Sequence, residues 1–173
     1  AILWRWLYNP DFGLINYLLS KIGIKGPDWL ASTKWAKPAI ALMGLWAGLG
    51  GYNTVLYLAA LQNVPRDLYE AAQVDGANPW QRFRYITIPL LKPVIITVTI
   101  LLTIGALNAF VQIYILTAGG PLHATEVVNT YLYKNAFGYL NFGYSSAMAV
   151  FLLAMTLSIT VLQRKFFGSG KYE

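Results

Sequence analysis

Three long apolar stretches without a charged residue constrain this chain more than any other feature. They run from Pro38 to Leu61, from Pro93 to Thr117 and from Tyr144 to Gln163. About 20 apolar residues let a helix cross the hydrocarbon core of a bilayer, where backbone groups find no water to bond. Each stretch therefore predicts a transmembrane helix. The predicted fold class is all-α, a polytopic membrane helical bundle.

The composition agrees with a lipid environment. Of 173 residues, 57% are hydrophobic and 12% are charged, against roughly 25% charged in a soluble domain. The absence of Cys excludes disulfides, thiolate metal sites and cysteine nucleophiles. The net charge of +6 is spread between the apolar stretches, so membrane lipid or an acidic partner explains it better than nucleic acid.

The segment from Asn9 to Lys37 carries apolar residues at spacings of three and four, among them Phe12, Ile15 and Leu19. This pattern is typical of an interfacial helix. An ordinary loop with one amphipathic turn fits equally well, and both interpretations stay open.

Orientation follows from the positions of Lys and Arg. Cytoplasmic segments carry more of these residues, which weakly favours a cytoplasmic location for residues 62–92 and the tail. One face would hold Arg66, Arg82, Arg84, Lys92, Arg164, Lys165 and Lys171, and the other Lys21, Lys25, Lys34, Lys37 and Lys134.

Residues 62–92 have the pattern of two short helices joined by a turn. Pro65 suits the first helical position, and Gly76 suits the left-handed residue that follows a helix end. Asn78 is expected to cap the second helix, with Pro79 at its first position, until Pro89 breaks that helix.

The first of these short helices has features of a docking element. Ala71 and Ala72 are expected to form a face with little side-chain bulk, next to the carboxylate of Glu70 and flanked by Leu68 and Val74. Another surface could approach such a backbone closely. A structural elbow lying on the membrane is the alternative, and spacing alone does not identify a partner.

The same segment resembles the EAA loop of binding-protein-dependent ABC-importer permeases. The matching pattern is Glu70-Ala71-Ala72, three residues, Gly76, nine residues, Ile86, one residue and Ile88-Pro89, with Ile88 in place of the usual Leu. Three further motifs resemble the carbohydrate-importing branch, which includes maltose-type and glycerol-3-phosphate-type permeases: Asp75-Gly76-Ala77, Leu90-Leu91-Lys92-Pro93 and Thr117-Ala118-Gly119-Gly120-Pro121.

In that family the loop is a coupling helix held in a groove of a cytoplasmic ATPase. The resemblance implies that Glu70, Ala71, Ala72 and Gly76 couple the two proteins. It also implies that 62–92 is a cytoplasmic coupling loop within a single transmembrane permease domain, 1–173. That domain would be the C-terminal part of a multi-pass permease in the cytoplasmic membrane of a prokaryote.

The resemblance also implies the partners: a cytoplasmic ATPase dimer, a second permease subunit, an external solute-binding protein and a sugar-like solute. The chain lacks a Walker sequence, so we expect no enzyme activity, no catalytic residue and no cofactor in it, with ATP bound by the ATPase. The lone His123 and the Gly168-Ser169-Gly170-Lys171 tail are not expected to form a metal or phosphate site.

Polar residues within the second apolar stretch are candidates for the solute path. Thr97, Leu101, Gly105, Asn108 and Gln112 follow one stripe of a continuous helix. The amides of Asn108 and Gln112 would lie one turn apart and could bond sugar hydroxyls. Such amides also join helices to each other, so both roles stay open.

The first apolar stretch is rich in glycine. Gly44 and Gly48 have the spacing of close helix packing, while Gly50 and Gly51 offer a place for the helix to unwind. The neighbouring Tyr52 and Asn53 are candidate solute-lining residues, because an aromatic ring stacks on a sugar and an amide bonds its hydroxyls.

Together these features favour the membrane subunit of an ABC importer for a sugar or sugar-like solute, with a neutral sugar preferred. A secondary transporter is an alternative, but it would normally place ionisable residues in its spans. A non-transporting membrane scaffold that recruits a cytoplasmic partner is the other alternative.

Overall fold

In the computed structural model, residues 1–49 and 51–167 are described, and every regular element among them is helical. The predicted all-α fold is therefore confirmed for these residues. Gly50 and the Gly168-Ser169-Gly170-Lys171 tail lie outside the described residues. The elements are α1 Ile2–Leu7, α2 Leu14–Lys21, α3 Ala36–Leu49, α4 Tyr52–Gln62, α5 Arg66–Val74, α6 Pro79–Arg82, the π-helical turn Phe83–Thr87, α7 Ile88–Leu107, α8 Val111–Leu116, α9 Val128–Tyr133, the π-helical turn Lys134–Gly138 and α10 Phe142–Phe167.

Three helical stretches in the described residues are long and apolar enough to cross a membrane. They are Ala36–Gln62, Pro79–Leu107 and Phe142–Phe167, which confirms the three predicted spans with shifted ends. Large apolar side chains on them project outward, such as Leu45 and Phe151, which are 66% and 69% exposed. An apolar surface this extensive is stable against lipid or other helices rather than water.

The chain divides into two compact units. The first contains Ala1–Ala47 and Gly105–Leu157. Within it, Tyr8 is 1% exposed and its hydroxyl donates a 2.8 Å hydrogen bond to the Ala39 carbonyl. A buried phenol needs a hydrogen-bond partner, and this bond joins the segment after α1 to α3.

The second unit contains Gly48–Ile104 and Ser158–Glu173. Within it, the Gln163 side chain donates a 2.8 Å hydrogen bond to the Thr103 hydroxyl, joining the end of α10 to α7. Val98, on the same stretch of α7, is 2% exposed. Inside a membrane such a polar contact joins one helix to the next.

The first span is interrupted by glycine. α3 ends at Leu49, and Gly51 is extended at φ −103° and ψ −157° before α4 begins at Tyr52. A Cβ placed on Gly44 or Gly48 would meet no atom of the described chain within 4 Å, apart from the backbone of its own helix. Close packing of a helix against Gly44 and Gly48 therefore stays a prediction, and the packing helix would be one other than those described.

The second span begins and ends differently from the prediction. Pro89 does not break the helix, because Pro79–Leu107 is continuous. The wider π-helical turn Phe83–Thr87 precedes Pro89, and it moves the preceding carbonyls from the α-helical positions that a proline ring would meet. At the other end α7 stops at Leu107, and α8 begins only at Val111.

The segment from Asn9 to Lys37 contains a regular helix, α2, which covers Leu14–Lys21. Phe12, which we expected on the same face, lies in the turn before α2 and is 62% exposed. A helix in this segment is therefore confirmed, and its position at a membrane interface stays a prediction.

Candidate coupling surface and solute site

Helix α5 has well-defined ends. Pro65 is its N-cap, one residue before the predicted position, with φ −61° and ψ 131°. At the other end Gly76 has φ +78°, and its N–H donates to the Gln73 carbonyl at 3.1 Å. The Ala77 N–H donates to the Ala72 carbonyl at 2.9 Å. This is a Schellman motif, so the predicted role of Gly76 at the helix end is confirmed.

The next helix has an equally firm start. The Gln81 N–H donates to Asn78 Oδ1 at 2.8 Å, and the Asn78 N–H donates to Gln81 Oε1 at 2.8 Å. Pro79 is at the start of the helix, as predicted. Reciprocal capping satisfies two otherwise unpaired donors. The turn between α5 and α6 is therefore fixed on both sides.

The inner side of α5 is attached to the helix that follows it. The hydroxyls of Tyr69 and Thr87 are 2.7 Å apart, and Thr87 is 6% exposed. Arg82 Nη1 donates to Gln73 Oε1 at 3.3 Å. These contacts hold α5 against the α6 and π-helical segment, so a force on α5 would be transmitted to the second span.

The outer side of α5 is open and mixes apolar and acidic groups. Glu70 and Ala71 are exposed, and Val74 is 88% exposed. Ala72 is half-buried, so it is less accessible than Ala71, and the expected face of low bulk formed by both residues stays a prediction. Consecutive helical residues point about 100° apart, which is consistent with the different exposure of these two alanines.

The four candidate solute residues fall into two pairs. Tyr52 and Asn53 begin α4 in the second unit, with Tyr52 71% exposed and Asn53 half-buried. Asn108 and Gln112 belong to the first unit. The helix between α7 and α8 is broken, so the expected continuous stripe is wrong. The role of each residue in solute binding stays a prediction.

Asn108 lines two cavities in the first unit. Their volumes are about 210 and 240 Å³, and they share Asn108, Asn129 and Leu132. The first is otherwise lined by α10 side chains, including Thr156, and the second by Phe110 and Tyr133. Gln112 lines neither cavity. Asn108 is the first residue after α7 ends at Leu107.

Two aromatic rings line the second cavity, those of Phe110 and Tyr133, and the sequence pattern did not predict them. The centroids of Phe110 and Tyr133 are 5.1 Å apart, and those of Tyr114 and Tyr133 are 5.0 Å apart. Phe110 and Tyr114 stack at 5.3 Å. The spacing of four residues between Phe110 and Tyr114 is a sequence signal that could have indicated their contact. Tyr133 and Asn129 belong to α9, and no local sequence pattern indicates that α9 contacts this region.

A charged cluster joins the loop between α8 and α9 to the π-helical turn that follows α9. Lys134 Nζ is 2.8 Å from Glu126 Oε1, and His123 Nδ1 is 2.7 Å from Glu126 Oε2. The hydrogen bond from Lys134 holds the pKa of Glu126 below its usual value, against a smaller opposing effect of desolvation. This cluster fixes the loop. From the sequence alone, Lys134 serves only to assign orientation, no site is expected at His123 and nothing is assigned to Glu126.

The chain resembles known proteins along nearly its whole length. Residues 2–167 match the family described as binding-protein-dependent transport system inner membrane component. The chain is 42% identical over 168 residues to the trehalose/maltose transport system permease protein MalF of Thermococcus litoralis, covering 95% of this chain and 55% of MalF.

Two solved structures are similar as well. One is a bacterial ABC transporter involved in the import of the acidic polysaccharide alginate, with TM-score 0.86, 26% identity and coverage of 98% of this chain and 59% of that chain. The other is a bacterial alginate ABC transporter in complex with an alginate pentasaccharide-bound periplasmic protein, with TM-score 0.84, 27% identity and coverage of 94% and 57%. The chain thus spans little more than half the length of these relatives.

Proposed function

Since this chain belongs to the family of binding-protein-dependent transport system inner membrane components, we propose that it is the membrane-spanning core of an ABC-importer permease for a sugar or sugar-like solute. The proposal makes ATP hydrolysis the task of a separate subunit and assigns no enzyme activity to this chain. The observation that carries it is the exposed helix α5, capped at its end and bonded to the second span.

The proposed partner of α5 is a cytoplasmic ATPase dimer. Exposed Glu70 would meet a cation or hydrogen-bond donor of the ATPase, and Ala71 would let the two backbones approach. Ala72 would allow α5 to pack closely on its own chain, and Gly76 would hold the turn. Since Tyr69 bonds Thr87, movement of the ATPase would reach the second span through this contact.

The proposed complex also contains a second permease subunit and an external solute-binding protein. The similar alginate transporter was solved with a periplasmic protein that carries its pentasaccharide, which supports such a partner here. The family description places its members in the inner membrane. Residues 62–92 would then face the cytoplasm, and the segments on the other side would face the binding protein.

The proposed solute path includes Tyr52, Asn53, Asn108 and Gln112. Their rings and amides suit sugar hydroxyls and ring faces. The three predicted apolar stretches contain no charged residue, which favours a neutral sugar such as the trehalose or maltose of the MalF system. An acidic oligosaccharide, as in the alginate transporter, is the contrasting substrate to test.

The proposal is tested with the complete permease assembled with its ATPase and binding protein in proteoliposomes. Glu70→Ala should reduce copurification of the ATPase or abolish ATP hydrolysis stimulated by maltose or trehalose. Asp11→Ala is the matched control, because Asp11 is also an exposed carboxylate but lies in the turn before α2. Native association and stimulation in Glu70→Ala would contradict the coupling role. Association without any sugar-dependent hydrolysis in the native protein would favour a scaffold.

A further inference from the structure

We propose that Asn129 and Tyr133 of α9 form, with Asn108, a binding subsite for a neutral sugar ring at the end of α7. This inference rests on the proposed importer function and assigns residues that the sequence patterns did not indicate. Both cavities described above meet at Asn108, Asn129 and Leu132. The subsite is therefore built where the second span stops.

The position of Asn129 is set by a rigid first turn of α9. The Val127 N–H donates to Thr130 Oγ1 at 3.0 Å, and that hydroxyl donates to the Val127 carbonyl at 2.8 Å. Thr130 is fully buried, with 0% exposure. Asn129 and Tyr133 are four residues apart on this anchored segment, so their side chains lie on one face.

The Asn129 amide points to the end of α7. Its Nδ2 lies 3.4 Å from the Leu107 carbonyl, a long and weak hydrogen bond that a sugar hydroxyl could replace or extend. A primary amide both donates and accepts. Of the two amides at one cavity, one can therefore donate to a sugar hydroxyl while the other accepts a hydrogen bond from the adjacent hydroxyl.

Tyr133 supplies the apolar half of the subsite. Its ring packs against Phe110 and Tyr114, which restricts its rotation, and it lines the 240 Å³ cavity. A sugar ring presents apolar C–H faces as well as hydroxyls, and a held aromatic ring offers a complementary surface. Prior restraint of the ring lowers the entropy cost of binding.

The cavity linings define the charge of the ligand. The described residues that line these two cavities include no Asp, Glu, Lys, Arg or His. A carboxylate placed here would lose hydration without gaining a cationic partner from these linings. The subsite therefore fits a neutral pyranose and disfavours a uronic acid.

The test uses the complete importer in proteoliposomes with radiolabelled maltose, trehalose and an alginate trisaccharide as probes. Asn129→Leu and Tyr133→Leu should each reduce uptake of the neutral sugar roughly tenfold, because a lost hydrogen bond or ring contact is worth about a factor of ten. Tyr133→Phe keeps the ring and should stay within about twofold of native uptake.

Asn16→Leu is the matched control, since the Asn16 amide also bonds a backbone carbonyl, that of Pro27, at 3.2 Å, outside residues 62–92. It should transport at the native rate. Native uptake in both Asn129→Leu and Tyr133→Leu would overturn the subsite while leaving the importer function standing. An equal loss in Asn16→Leu would overturn it too, because the effect would then be structural. Failure of the native importer to transport any of the three probes would contradict the proposed function itself.

Discussion

Replacing Gly76 by alanine tests the end of α5 most sharply. Gly76 has φ +78°, and a Cβ there would meet no atom of the described residues within 4 Å. The cost is therefore conformational rather than steric with neighbours, about 1–2 kcal/mol for an L-residue in the left-handed region. At 25 °C this corresponds to roughly a 5- to 30-fold increase in opening of the turn.

Hydrogen exchange measures this opening directly. The Gly76 and Ala77 amides bond the Gln73 and Ala72 carbonyls in the native turn, so a peptide covering residues 70–80 should lose protection by that factor in Gly76→Ala. Sugar-stimulated ATP hydrolysis should fall with it, because the orientation of α5 would no longer be fixed.

A matched substitution separates strain from coupling. Gly23 has φ +76°, and a Cβ at this position would likewise have no described neighbour within 4 Å. Gly23→Ala therefore carries a similar local penalty outside the coupling loop, and it should leave ATP hydrolysis unchanged. Unchanged protection of 70–80 in Gly76→Ala, or equal loss of hydrolysis in Gly23→Ala, would refute the reasoning.

Three further predictions concern contacts within each unit. Tyr69→Phe should destabilise the attachment of α5 by about 1–3 kcal/mol, because it leaves the buried Thr87 hydroxyl without its partner. The effects of Tyr69→Phe and Thr87→Val on the melting temperature should be non-additive in a double-mutant cycle. Strict additivity would contradict this prediction. Asn78→Ala should cost about 0.5–2 kcal/mol through the lost cap, seen as faster exchange of the amides of residues 80–82; native exchange there would count against it. Lys134→Met should lower the melting temperature above about pH 4.5, the ordinary pKa of Glu126. The difference in melting temperature between Lys134→Met and the native protein should disappear as the pH falls through the lowered pKa of Glu126 in the folded state. A difference in melting temperature that does not depend on pH would contradict the role of the Lys134–Glu126 pair.

Local rules explain where prediction from sequence succeeded. Gly76 and Asn78 act through hydrogen bonds to residues within five positions, so their roles are visible in the residue pattern itself. The spans are visible because lipid requires long apolar helices. The family resemblance, read from residues 70–93 and 117–121, is confirmed by the match over residues 2–167.

Tertiary and irregular features explain where prediction failed. The end of α7 at Leu107 interrupts a stretch that continues without a charged residue to Thr117, so length and lack of charge placed the end of the predicted helix too far along the chain. A break is predicted at Pro89 because proline usually interrupts a helix. The π-helical turn that accommodates this proline has no sequence signature. Asn129 contacts the end of α7 across 22 positions, a separation that local patterns do not reveal.

Site-directed photo-cross-linking tests the central claim that α5 docks on the ATPase. This chain has no native Cys, so Ala71→Cys, in a complete permease with every cysteine outside the chain replaced, accepts a single benzophenone-maleimide on the exposed side of α5. Thr33→Cys, also exposed, is the control on the segment expected to face outward. We expect a cross-link to the ATPase from position 71, with a yield that changes when ATP and sugar-loaded binding protein are added, and none from position 33. No cross-link from position 71, or equal cross-links from both positions, would contradict the account.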